Sequence, residues 1–222
     1  MFCLLNLSEQ KKVDLQKELI RKGIHMGSLS IPILVYYVSR ETALLIFIPM
    51  AIIALCLEFF RYRSEIVAKI FYFIFGKILR EHEVGKKTLT GGSYVLISAA
   101  LCVFLFPKIL FIMGFSILII SDTIAAFVGK LIGKHKINGK TLEGSSAFFI
   151  SAVLVILFTP KITYSGTEYM IGFIGAFIGT IVELFSFAIL DDNFSIPLSV
   201  GGVMWLLYIW LLPNVNIWVL NM

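Results

Sequence analysis

Charge is what this chain has least of. Only 15% of its 222 residues are Asp, Glu, Lys or Arg, while 59% are hydrophobic and the mean hydropathy is +0.93. A water-soluble domain could not cover its surface with so few polar residues, so that class is excluded. Cysteine is scarce as well: Cys3, Cys56 and Cys102 form no Cys-x-x-Cys pair, and their odd number argues against a disulfide framework. They read as small apolar residues in a reducing compartment. No Pro/Gly/Ser-rich linker, attached soluble domain or internal repeat is visible, so 1–222 reads as a single transmembrane domain. The opening MFCLLNLSEQKKVDLQKELIRK runs from a short apolar patch into charge, the wrong order for a secretory signal peptide.

What the chain does have is apolar runs near membrane-spanning length. The expected spans are 24–39, 42–60, 93–106, 109–128, 145–159, 169–190 and 196–212. A further stretch at 66–79, carrying Lys69 and Lys77, reads as a helix at the interface or entering partway. The expected fold is therefore an all-α polytopic integral membrane protein with about seven transmembrane helices. Sixteen of the nineteen Lys and Arg residues fall in the basic N-terminal segment 1–22 and in 61–92 and 129–144; only Arg40, Lys108 and Lys161 fall on the opposite side. That asymmetry places the N-terminus in the cytoplasm. The loops 61–92, 129–144 and 191–195 then share the cytoplasmic face, and one site built from several segments is the simplest account.

GKHKINGKT, from Gly133 to Thr141, nearly spells a P-loop, but five residues rather than four separate Gly133 from Gly139. The stretch also follows an apolar helix rather than a strand. Lys134, His135, Lys136 and Lys140 make it strongly positive, and Thr141, Glu143, Gly144 and Ser145 lead into the next span. Two readings stand: an ordinary loop against anionic headgroups, or a triphosphate site in which lysines neutralise charge and glycines let the backbone come close. Upstream, Asp122 interrupts an apolar helix and needs a cation, water or a protein interior. Ala125, Gly129 and Gly133, four apart, form a face where another helix backbone can pack closely. Gly175, Gly179 and Glu183 repeat that pattern, and Asp191, Asp192 and Asn193 follow. That acidic cluster reads as a turn or as a divalent-metal clamp with Asp122. The glycine faces would pack within one chain or between two. Near the start, RKGIH sets Arg21 and His25 one helical turn apart beside Lys22, where they would meet headgroup or substrate phosphates. Thr90 and Gly91 open a span whose free N–H groups attract anions.

SDTIAAFVGKLIGKHKINGKTLEGS and ELFSFAILDDNFSIPL, with RKGIH and LTGGSY, resemble the CTP-dependent lipid kinases, the family of dolichol, phytol and yeast-type diacylglycerol kinases. The central stretch is more distantly similar to phosphatidate cytidylyltransferase. The resemblance spans roughly residues 18 to 202. It implies a cytoplasmic-face site that uses CTP and Mg²⁺ to phosphorylate the hydroxyl of a membrane lipid alcohol; no nucleic-acid partner is expected. Carried over by position, Asp122 would bind metal with Asp191 and Asp192. Thr123, Lys134, His135, Lys136, Lys140, Thr141, Glu143, Gly144, Ser145 and Asn193 would surround the nucleotide. Arg21, Lys22, His25, Thr90 and Gly91 would assist at phosphate. One carboxylate among Asp191, Asp192 and Glu183 would orient or deprotonate the hydroxyl. The C-terminal DDNFSIPLSVGG lacks the longer Lys-Asp-containing signature of the cytidylyltransferases, which favours a kinase over CMP transfer to phosphatidate. A small ion-coupled transporter is the remaining alternative; it would spread polar residues through the bilayer depth and show an inverted repeat.

Overall fold

The structure is a computed structural model and describes residues 20–76, 79, 83, 88–185 and 191–219. Most of the N-terminal segment 1–22, much of 77–87, and 186–190 therefore lie outside the described residues. Within them the protein is all-α apart from one small hairpin. Helix α1 covers 20–27 and α2 Ser30–Tyr37; α3 is Arg40–Arg61, α4 Glu65–Phe75, α5 Gly91–Leu105 and α6 Lys108–Ile132. Strands β1 (Lys136–Ile137) and β2 (Lys140–Thr141) lead into α7 (Leu142–Phe158), α8 (Gly166–Phe185) and α9 (Asp192–Leu211).

Among the described residues four helices, α3, α6, α8 and α9, are long and apolar enough to cross a membrane. The expected count of about seven is thus met only in part. Helices α5 and α7 are apolar but 15 and 17 residues long, below the ~20 residues of a straight span. The run expected at 24–39 is broken by a turn at Ser28–Leu29, so it forms two short helices. Gly27, Ser28 and Ser30 weaken helix propensity there and Pro32 sits in the first turn of the second piece. The stretch at 66–79 expected as an interfacial helix is helical over Glu65–Phe75 as α4, with Ile66, Ile70, Phe73 and Ile74 exposed along it and Phe71 buried.

Helix α6 is the axis of the bundle. Every residue from Lys108 to Ile119 is buried, because α2, α5, α7, α8 and α9 all pack against it. A helix that is apolar on all sides belongs in such a position. The glycine faces do what their spacing predicts. Gly129 on α6 meets Gly144 on α7, and Gly175 and Gly179 on α8 receive Met204 and Val200 of α9. A Cβ added at Gly144 would stand 2.9 Å from the Ala125 carbonyl oxygen and 3.3 Å from the Gly129 Cα. Gly144→Ala is therefore expected to push α6 and α7 apart at a cost of about 1–3 kcal/mol. At ~2–4 °C per kcal/mol for a chain of this size, thermal unfolding in detergent reads that change directly.

The sequence reading missed the hairpin, although its signal is plain. Asn138 and Gly139, both at positive φ (48° and 82°), form the two-residue turn between Lys136–Ile137 and Lys140–Thr141. Asn-Gly is the preferred pair for a type I′ turn, the one whose twist matches two antiparallel strands. Pairing Lys136 with Thr141 and Ile137 with Lys140 turns an expected flexible loop into a short ordered ribbon. Thr141 then caps α7 by accepting the Gly144 N–H at 3.2 Å.

Candidate functional site

Two lysine–carboxylate clusters meet at one end of α6. In the first, Lys22 reaches from α1 across to α6, its Nζ 2.5 Å from Asp122 Oδ2 and 3.1 Å from the Asp122 carbonyl oxygen. Both residues are buried, and His25, one turn along α1, holds its Nε2 3.6 Å from the same carboxylate oxygen. Asp122 so becomes the focus of the RKGIH segment: an ammonium compensates its charge, which an apolar helix could not otherwise hold.

In the second cluster, β2 delivers Lys140 to α8 and α9. Its Nζ lies 2.8 Å from Glu183 Oε1 and 2.8 Å from Asp192 Oδ2. Ser145, on the first turns of α7, donates to the other Glu183 oxygen at 2.7 Å. Burial works to lower the Lys140 pKa, but Asp192, Glu183 and, further off, Asp122 outweigh it and raise the value above the ordinary lysine range. Lys140 therefore stays a cation at neutral pH. The shared influence of Asp122 ties the two clusters into one electrostatic unit.

Between α1, α3, α4, α5 and α6 lies a cavity of about 450 Å³. Lys22, His25 and Asp122 meet at one point of its wall, its polar end, and Thr90, Asn193, Leu57, Phe71, Phe75, Val95 and Leu96 also line it. Asn193 follows Asp192 in α9, lines the cavity and donates to the Gly91 carbonyl at 3.4 Å, so the second cluster abuts this cavity. The first turn of α5 is held by carboxylates. Glu58 Oε1 accepts from the Thr90 N–H (2.8 Å), the Thr90 hydroxyl (2.7 Å) and the Ser93 hydroxyl (2.8 Å), and Glu83 accepts the Gly91 N–H at 3.0 Å. Glu58 is itself paired with Arg61 at 2.7 Å, and the Arg61 guanidinium stacks on Tyr62 and Phe71. The sequence reading passed over Glu58, Arg61 and Glu83. A Glu with an Arg three residues on, at the end of an apolar span, was the available signal.

The other predicted residues are placed less centrally. Lys134, His135 and Lys136 are exposed, and His135 Nδ1 pairs with Glu143 Oε1 at 2.8 Å. Thr123 donates back to the Ile119 carbonyl at 2.7 Å within its own helix. Asp191 is the N-cap of α9, accepting the Asn193 N–H at 2.9 Å, as Asp does at helix starts. Arg21 lines the cavity. Among the described residues no three His, Cys, Asp or Glu side chains come close enough to hold a metal ion.

No family model and no solved structure matches the chain. The uncharacterized protein RP860 of Rickettsia prowazekii (strain Madrid E) is 36% identical over 192 residues, which cover 85% of this chain and 94% of that protein. The uncharacterized protein MJ1137 of Methanocaldococcus jannaschii is 29% identical over 193 residues, covering 84% and 92%. The matched stretch in each case is long enough to take in most of the bundle. With this identity over nearly the full length of RP860, the chain belongs to the same family as that protein.

Proposed function

We propose that this protein is a multi-pass membrane phosphotransferase, with its N-terminus in the cytoplasm, that moves the γ-phosphate of CTP to the hydroxyl of a membrane lipid alcohol. One observation carries the reading: Lys140, Glu183 and Asp192 converge beside a cavity that is lined by Asp122 and Lys22 together with a set of apolar side chains. Phosphoryl transfer asks mainly for positioning and charge neutralisation, and an insoluble acceptor asks for an apolar slot opening on the same point. CTP as the donor rests on the resemblance of the 121–145 and 183–198 stretches to the CTP-dependent lipid kinases.

The donor set suits hard cations with oxygen ligands, but Asp122 and Asp192 each already carry a lysine. Asp122 or Asp192 would hold a Mg²⁺ ion that arrives with the nucleotide, and the ion would supply charge neutralisation. The chain's own residues do the remaining work. Lys140 is positioned to exchange its carboxylates for phosphate oxygens, and Lys22 holds the Asp122 carboxylate in place. The exposed Lys134 and Lys136 draw an anionic nucleotide towards the cytoplasmic face.

The test uses purified protein in mixed micelles with Mg²⁺, a panel of prenols, diacylglycerol and phosphatidate, and CTP labelled at either the α- or the γ-phosphate. Label entering lipid only from the γ position is the expected result. Label entering only from the α position, with phosphatidate required, would make the protein a cytidylyltransferase and overturn the reading. Asp122→Asn is expected to lower turnover at least ~10²-fold while the protein still inserts. Undiminished turnover in that variant removes Asp122 from the mechanism.

A further inference from the structure

His25 has a place in this arrangement that the nucleotide does not explain. Its Nε2 is buried and makes no hydrogen bond, while the ring is bonded to the Leu118 backbone. A ring nitrogen anchored to a backbone carbonyl fixes the tautomer and leaves the other nitrogen as an acceptor. That nitrogen lines the polar end of the 450 Å³ cavity, 3.6 Å from the Asp122 carboxylate. A buried polar atom with no partner is uncommon in a folded protein and asks for an occupant. The carboxylates first considered as bases are otherwise engaged: Glu183 and Asp192 both grip Lys140, and Asp191 caps α9.

The cavity itself is the second observation. Its volume lies in the range of about 300–1,000 Å³ seen for small-molecule sites. Its walls carry both polar and apolar side chains, with Phe71 and Phe75 contributed by α4. Helix α4 exposes Ile66, Ile70 and Phe73 on its other side, so the cavity wall that Phe71 and Phe75 supply belongs to a helix suited to the membrane boundary.

We propose that this cavity is the acceptor site and that His25 Nε2 takes the proton of the acceptor's hydroxyl; the inference rests on the kinase reading for its donor. The hydroxyl oxygen attacks the γ-phosphorus of the nucleotide and forms the new O–P bond. The bond from the γ-phosphorus to the bridging oxygen breaks, and the diphosphate leaves with that electron pair. The hydroxyl proton passes to Nε2. The resulting imidazolium faces the Asp122 carboxylate, which stabilises it; Lys22 keeps that carboxylate ionised and in register. The hydrocarbon tail lies along Leu57, Phe71 and Phe75.

The experiment uses the full chain in mixed micelles and a long-chain primary alcohol with a diazirine midway along its tail. Labelling is mapped by peptide mass spectrometry and needs no turnover. Labels are expected on the peptides carrying Leu57, Phe71 and Phe75. Leu57→Trp, at a half-exposed position that tolerates bulk, should cut labelling and turnover at least tenfold. His25→Ala should keep the labelling but lose ~10²–10⁴-fold in kcat, with part of that loss restored by added imidazole. Labelling confined to the outer faces of α8 or α9, or full turnover in Leu57→Trp, overturns the cavity as acceptor site and leaves the kinase reading intact. Unchanged kcat in His25→Ala overturns its role as base. Cavity labelling by a protein that transfers no phosphate from CTP would support the lipid site and overturn the kinase reading instead.

Discussion

Replacing Lys140 with methionine is expected to remove turnover and to lower stability together. The side chain reaches two carboxylates, those of Glu183 and Asp192, whose side chains are only 3% and 14% exposed. Taking away the cation leaves two negative groups facing each other out of water. Breaking a buried pair from one side costs about 3–5 kcal/mol, or roughly 6–20 °C in unfolding temperature for a chain of this length. Adding Glu183→Gln and Asp192→Asn to Lys140→Met removes the stranded charges and should recover most of the lost stability, but none of the activity. That split separates a residue holding the fold from one doing chemistry. If Lys140→Met unfolds at the wild-type temperature, the cluster is not the closed unit described. The pH dependence has a definite sign. The folded-state pKa of Lys140 is raised above 10.5, so its contribution is complete below that value and is lost only as pH climbs through the raised one. Acidification towards pH 5 should leave Lys140 charged.

Glu168→Ala is expected to have the second-largest effect, at the other end of the bundle and with no bearing on the site. Glu168 is fully buried. It accepts from the backbone N–H groups of Ile162, Thr163 and Tyr164 at 3.1, 2.8 and 2.7 Å, from the Thr163 hydroxyl at 2.9 Å and from Tyr208 of α9 at 2.9 Å. The carboxylate thus organises the whole turn between α7 and α8, including Tyr164 at a positive φ of 54°, and ties it to α9. Each orphaned buried donor costs about 1–3 kcal/mol. Partial rehydration still leaves a total of at least ~3 kcal/mol. Melting in detergent should fall by about 6 °C or more, and phosphate transfer measured below the melting range should match that of the wild type. Glu168→Gln, which keeps an acceptor, should recover part of the loss. A variant that melts as wild type would mean that water or Thr163 replaces the carboxylate.

The parts of this architecture that were readable beforehand were those carried by short-range pattern. Apolar composition gives the helical class, and four-residue glycine spacing gives the faces where α6 meets α7 and α8 meets α9. Asp122, Lys140, Glu183 and Asp192 stand out because charge in an apolar run has so few explanations. Their pairing does not follow from the same cues. Lys22 and Asp122 are 100 residues apart, and nothing local indicates that the lysine of RKGIH, rather than a metal, sits on that carboxylate. Glu168 went unnoticed because it sits beside a polar loop, where an acidic residue reads as solvated. Glu58 and Arg61 were hidden by the opposite effect, at the end of a run that reads simply as a span. The run at 24–39 departs from a single span where hydropathy ignores backbone: Gly27, Ser28 and Ser30 break a run that is apolar enough but not helical enough.

The Asn138–Gly139 turn sets a timescale. A two-residue turn with both residues already at positive φ has no slack, and Thr141 at its base is packed against Gly129 and Gly144. The hairpin cannot swing open without unmaking the start of α7. Any transfer of Lys140 from its carboxylates to an arriving anion is thus left to its own four side-chain torsions. That rotation is slowed by the two ion pairs that must break, but it needs none of the backbone motion that makes loop gating take microseconds to milliseconds. The backbone amides of Lys136 to Thr141 should accordingly exchange with deuterium at the same slow rate before and after ligand arrives, and whatever limits the pace of the site lies elsewhere in the molecule.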